Sequence, residues 1–386
     1  MRICMLTWEF PPRIVGGIAR HCLALSKALA KLGHEVYVVT LEFPGAPLFE
    51  DINGIKVYRV LIELGHPNFI IWTFLFNHFM EKKVADLSEN IEFDIIHIHD
   101  WLTAKAGISS KHFLNKPLIS TIHSTEEGRS RGLHNPDSFL IDGIEWWMTY
   151  EARQVIVCSN SVKWEVESHF SLPHDKVTVI PNGIEVSSFN LNINREEVKR
   201  RYGIKPNERI ILFVGRLVPQ KGVDTLIKAV PLIVQQHRDV RILIAGDGWS
   251  RNYLEELARS MGLGDRIRFL GFISDWELED LMVTADVLVV PSIYEPFGIV
   301  ALEGMAAGTP VVATNIGGLS EIIEHDRTGV LVYPEDPGSI AWGINKVLSD
   351  PKYADWLVRN ARRKVRKAYS WEAIAKRTVE VYEAAI

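Results

Sequence analysis

Short apolar runs recur along the chain, each followed by an amphipathic stretch. In the first half they read ICMLTW, EVYVVT, KVYRVLI, IIHIHD, LISTIH, VIVCSN and VTVIPNG. In the second half they read IILFVGR, RILIAGDG, IRFLGF, VLVVPS, VVAT and VLVYP. Most are continuous rather than alternating, the pattern of parallel strands buried on both faces. The stretches between them predict helices. IARHCLALSKALAKLG ends on Gly33, and VDTLIKAVPLIVQQ repeats its apolar positions three and four apart. Strands alternating with helices predict an α/β fold of doubly wound sheets.

The pattern resets over Leu191 to Glu208, a polar, charged stretch. Residues 1–190 and 191–369 are therefore expected to be two Rossmann-like domains, with ligands held in a central cleft at the C-terminal edges of their sheets. The segment from Ser370, residues 370–386, is read as a separate helix. Packing back on the N-terminal domain is one option that the pattern leaves open for it.

Composition narrows the classes. The 386 residues carry a net charge of −5, without the basic balance that nucleic acid would call for. No run reaches the roughly 18 apolar residues of a membrane span, and the N-terminus enters a strand at once rather than a signal peptide. The expectation is a cytoplasmic enzyme. Cys4, Cys22 and Cys158 are too few and too scattered for a disulfide framework. No pair of aspartates is separated by one residue, and no His/Cys cluster has zinc spacing, so no metal site and no cofactor are expected.

Candidate chemistry lies just after the strands. FPPRIVGGIARH places Gly16–Gly17 before a helix, where backbone amides meet an anion closely, although a tight turn explains a glycine pair equally well. The segment is not the GxGxxG of dinucleotide binding. In VGRLVPQKG, Arg216 and Lys221 follow a strand, and Lys221 opens a helix, where a cation is out of place unless it shares an anion with the amides. In EPFGIVALEGMAAG, Glu295 stands before a helix start and Glu303 one turn inside it, with Gly298 and Ile299 presenting amides between them. The dipole alone accounts for Glu295 but not for Glu303. His97 and His99 are read as alternating on a strand, so at most one of them is expected to face the cleft while the other is structural. The aromatic side chains of IEWWMTYEA (Trp146, Trp147, Tyr150) are expected mostly in packing, with one of them able to flank an acceptor.

Glu295 through Glu303 resembles the E-x7-E motif of retaining glycosyltransferases of group 1, which have the GT-B architecture of two Rossmann-like domains facing a cleft. VGRLVPQKG is similar to their phosphate-binding Arg and Lys, and PPRIVGGIARH to their glycine loop. IIHIHDW, TIHS, PNGI and NIGGL resemble runs of bacterial and archaeal glycogen and starch synthases. The resemblance implies that Arg216 and Lys221 hold the diphosphate of a nucleotide sugar and that Glu303 binds its ribose. It implies that Glu295 binds the transferred sugar, supported by the Gly298 and Ile299 amides, and that Gly16 and Gly17 face the distal phosphate. His123 would lie beside the reacting carbon, with Asp100 and Asn182 near the sugar. The implied donor is ADP- or UDP-glucose and the implied acceptor a saccharide, with α-glucan elongation as the activity. One departure concerns the glycine loop: Ile14 and Ile18 replace the lysine and leucine of the glycogen synthase run, and Arg13 is the neighbouring cation. A small or lipid-linked acceptor, a sugar-nucleotide epimerase and a non-catalytic glycan-binding protein are the alternatives.

Overall fold

The computed structural model describes residues 1–65, 67–189 and 193–386. The chain divides into two compact units, Met1–Gly183 with Trp371–Ile386, and Ile184–Ser370. The boundary expected at residue 190 lies outside the described residues; the units part between Gly183 and Ile184.

Unit 1 is built on eight strands: β1 (Arg2–Leu6), β2 (Glu35–Leu41), β3 (Phe49–Ile52), β4 (Ile55–Val60), β5 (Ile95–His99), β6 (Leu118–Ile122), β7 (Gln154–Val157) and β8 (Val177–Val179). Their order is β3-β4-β2-β1-β5-β6-β7-β8. Every pair is parallel except β3 with β4. The connecting helices are α1 (Gly17–Lys31), α2 (Phe69–Ser88), α3 (Ala104–Leu114), α4 (Glu126–Ser130), α5 (Pro136–Glu151) and α6 (Asn160–His169). Each quoted apolar run of the first half contains a strand. The edge strand β3 was not among them, because FEDI is half charged and its side chains are at most partly buried.

Unit 2 carries α7 (Arg195–Arg201), β9 (Arg209–Val214), α8 (Val223–Gln236), β10 (Val240–Ala245), α9 (Arg251–Ser260), β11 (Ile267–Gly271) and α10 (Asp275–Thr284). There follow β12 (Val287–Val290), α11 (Ile299–Ala307), β13 (Val311–Thr314), α12 (Leu319–Ile322), β14 (Val330–Val332), α13 (Pro337–Ser349) and α14 (Pro351–Ala368). The sheet is wholly parallel, in the order β11-β10-β9-β12-β13-β14. The chain thus winds outward in both directions from β9 and β12, which makes their C-terminal ends a topological switch point. In unit 1 the equivalent switch lies between β1 and β5.

The last helix, α15 (Trp371–Ala385), belongs to unit 1. Ile374, Ala375, Val381 and Tyr382 join the core formed by β1, β2 and α1. Tyr382 is fully buried, and its hydroxyl bonds His97 Nδ1 at 2.7 Å. Gly183 lies so close to Trp371 that a Cβ there would approach the indole to 2.6 Å.

Candidate functional site

Each unit carries a set of polar groups at its own switch point. In unit 2, Gly215 and the exposed Arg216 follow β9, and a single 3-10 turn, Pro219–Lys221, precedes α8. Gly222 ends that turn at φ +62°, and a Cβ there would sit 2.0 Å from the Pro291 carbonyl oxygen. Only glycine permits that approach. It brings the loop after β9 against the loop after β12, where Ile293 N donates to Gln220 O at 2.8 Å. Lys221 Nζ then reaches Glu295 Oε2 at 2.7 Å, and Ser292 Oγ donates to the same oxygen at 3.1 Å.

The NIGG loop closes the other side. Gly318 N donates to Glu295 O at 3.0 Å. A Cβ on Gly317 (φ +45°) would meet that oxygen at 2.2 Å, and one on Gly318 would meet the Phe297 backbone at 2.4 Å. The glycines of NIGG therefore serve backbone contact with the EPFG loop.

Between Glu295 and Glu303 lies the start of α11. Gly298 enters it at φ +101°, with no side-chain cap and no acidic residue in the first turn. The first amides of a helix lack intrahelical acceptors and carry the positive end of the dipole, so this end suits an anion. The helix is apolar on nearly every side and mostly buried, and Gly304 allows it to lie directly on Leu288 of β12. Glu303 is the one charge on it, and both glutamates are only 8% exposed. Arg216, Lys221, Glu295, Gly298, Ile299 and Glu303 thus all lie on loops and a helix at one end of one sheet.

In unit 1, Glu9 is buried after β1, and its Oε2 accepts from Val15 N at 2.5 Å and Gly16 N at 2.9 Å. The Gly16 amide is therefore engaged within the chain. Gly17 opens α1, which also has no acidic residue in its first turn and no side-chain cap. Arg13, the neighbour of the lysine-position Ile14, donates from Nε and Nη2 to Glu42 O at 3.1 and 2.9 Å.

The ends of β5 and β6 bring the histidines together. His97 and His99, two residues apart, lie on the same face of β5, with ring centroids 4.4 Å apart. The expectation that only one faces the ligand side is corrected by that periodicity. What separates them is their partners: His97 is held by Tyr382 and by Thr121 Oγ1 at 2.7 Å, whereas His99 Nδ1 meets His123 Nε2 at 3.1 Å. His21, on the inward face of α1, joins this cluster and bonds Asn182 Oδ1 at 2.6 Å. Burial lowers all four: His21 and His97 to about 3, His123 to about 4, and His99 well below its usual value, with neighbouring histidines lowering His21, His97 and His99 further. They are neutral at ordinary pH.

Asp100 follows β5 at φ +59°, ψ 173°, a conformation that glycine prefers. The strain, on the order of 1–3 kcal/mol, is offset by aiming Oδ1 at His123 N, 2.7 Å away. Burial raises its carboxyl to about 6, against the opposing pull of the His123 amide and Arg129. Asp100, His123 and Asn182 are thus neighbours in one network. His21, Glu9 and Ser292 were not singled out in the sequence; the first could have been found as a polar residue at an inward helix position.

The aromatic residues of α5 correct another expectation. Trp146, Trp147 and Tyr150 are 48%, 37% and 64% exposed, while Ile141, Glu145, Met148 and Thr149 face inward. The inward place of a carboxylate is explained by its partners: Glu145 accepts from Glu126 N and pairs with Arg129 at 3.2 Å.

The chain is thus built of two doubly wound α/β units, each with polar and glycine-rich loops at its switch point, where such sheets hold ligands. Residues 194–364 match the family model "Glycosyl transferases group 1", and residues 15–188 match "Glycosyltransferase Family 4". The chain belongs to the group 1 glycosyltransferases and has their GT-B fold. It is 48% identical over its whole length to an uncharacterized glycosyltransferase of Methanocaldococcus jannaschii, of which it covers 99%. It is 35% identical, again over its whole length, to the glycogen synthase of Mycobacterium tuberculosis, of which it covers 95%. Among solved structures it is similar to the sucrose-phosphate synthase of Thermosynechococcus elongatus, with a TM-score of 0.87, 27% identity and coverage of 99% of this chain and 98% of the other.

Proposed function

We propose that the protein is a retaining hexosyltransferase that moves glucose from a nucleoside diphosphate sugar to a saccharide, elongating an α-glucan. The observation that carries this reading is the Lys221–Glu295–Ser292 network beside the uncapped start of α11 at the unit 2 switch point. A cation, helix amides and two shielded carboxylates suit a ligand with an anionic centre and hydroxyl groups at either end. Arg216 and Lys221 hold the diphosphate, and each charge-assisted hydrogen bond contributes about 1.5–3 kcal/mol. Glu303 takes the ribose hydroxyls, and Glu295 takes those of the sugar, with the Gly298 and Ile299 amides in support. In unit 1 the Gly17 end of α1 meets the distal phosphate, with Glu9 holding the Gly16 turn.

The chemistry follows. Cleavage of a glycosyl phosphate leaves an oxocarbenium-like carbon and a departing diphosphate, and stabilising that anion is the main task. Retention arises when the acceptor enters on the face the diphosphate leaves, with no carboxylate nucleophile. Asp100 fits this, because its carboxylate is committed to the His123 backbone. His123 and Asp100 border the reacting carbon, with Asn182 beside them. A full-length relative that is a glycogen synthase favours an α-glucan acceptor. Calorimetric titration with nucleoside diphosphates tests the donor half. Glu303→Ala is expected to weaken nucleotide binding most, and unchanged affinity in that variant removes Glu303 from the ribose.

A further inference from the structure

His21, His99 and His123 each offer a ring nitrogen within 4.8 Å of the other two. They come from α1, the end of β5 and the segment after β6, so no spacing along the chain announces them. Their hydrogen bonding is incomplete in a particular way. The Asn182 carbonyl accepts from His21 Nδ1 at 2.6 Å, which places the His21 proton there and leaves Nε2 a bare lone pair. That Nε2 is buried without a partner, and so is His99 Nε2. His99 and His123 share one hydrogen bond at 3.1 Å, so only one proton lies between them. An unpartnered buried polar atom is destabilising unless something else meets it.

We propose that His21, His99 and His123 form a binding site for a divalent transition-metal ion of the zinc type, and that the bound ion inhibits the enzyme. Three imidazoles and one open position match such ions. With metal–nitrogen bonds of about 2.0–2.1 Å the nitrogens of a tetrahedral site stand roughly 3.4 Å apart, a closure that rotation of the half-buried His123 provides. Asn182 holds His21 in the required tautomer, as an outer partner of a ligating histidine does. The carboxylate of Asp100, bonded to the His123 amide, supplies nearby negative charge. The inhibitory part rests on the function proposed above, since an ion on His123 occupies the place assigned to the reacting carbon.

The test is titration of the full-length protein with Co²⁺ at pH 7, followed by its visible absorption. Four-coordinate bands that saturate near one equivalent, are displaced by Zn²⁺ and are lost in both His21→Phe and His99→Phe support the site. Absence of such bands, or bands unchanged in both variants, overturns it. Circular dichroism checks folding, and His123→Ala, which alters the least buried ring, replaces any variant that unfolds. In the transferase assay, Zn²⁺ is expected to reduce turnover at least tenfold, reversed by chelator. Full turnover with the ion bound overturns the inhibitory role. Bands without any transferase activity would leave the metal site standing and count against the proposed function.

Discussion

Lys221 shows how one side chain joins several lines of reasoning. In sequence it was a cation at the wrong end of a helix; in the structure it sits on a 3-10 turn and reaches across to Glu295. Lys221→Ala is expected to reduce turnover at least about a hundredfold, about 2.7 kcal/mol of lost anion stabilisation, with an unchanged circular dichroism spectrum. Near-normal turnover removes Lys221 from the diphosphate. The buried histidines make a separate prediction about pH. Their folded pKa values lie below 6.5, so between about 6.5 and 4 the unfolded chain binds more protons than the folded one, and stability falls as pH falls. Asp100 and Glu145, raised by burial, act in the opposite sense, two groups against four. Urea unfolding across this range should show declining stability towards acid. In His97→Gln the slope should shrink by one proton, about 1.36 kcal/mol per pH unit. A flat profile contradicts the assignment of neutral buried rings. The motif residues themselves were legible in sequence, whereas the meeting of His21 with His99 and His123 was not, because these three lie more than 20 residues apart and meet only through strand order.

At the scale of elements, the strands were readable because parallel strands buried on both faces are written as continuous apolar runs. β3 was not, since a partly exposed edge carries charge. Helix existence was legible, but helix facing was not always so: α5 points its aromatic residues outward because Glu145 claims the inward position through Arg129 and the Glu126 amide. Gly222, Gly317 and Gly318 of unit 2, to which the sequence reading gave no role of their own, let loops touch one another. Gly222→Ala tests this. Its left-handed backbone and the 2.0 Å approach to Pro291 O leave no room for a methyl group. The variant should lose on the order of 1–3 kcal/mol of stability and raise the KM for donor by displacing Lys221. An unchanged urea midpoint and KM would show that the loop pairing is not needed.

At the scale of the molecule, two repeated βα patterns implied two units, and the resemblance of Glu295–Glu303 with Arg216 and Lys221 implied the family. The chain's return, in which α15 completes the core of unit 1, was left open by the sequence because an amphipathic helix does not name its partner. Donor base and acceptor depend on loop shape that motifs do not encode. The most direct measurement mixes the protein with nucleoside diphosphate glucoses of each base, with and without glycogen or maltooligosaccharide, and follows free diphosphate and chain length. Glycan-dependent diphosphate release with lengthened chains is the predicted result. Isomerised donor without an acceptor, or no release with any donor, would contradict it.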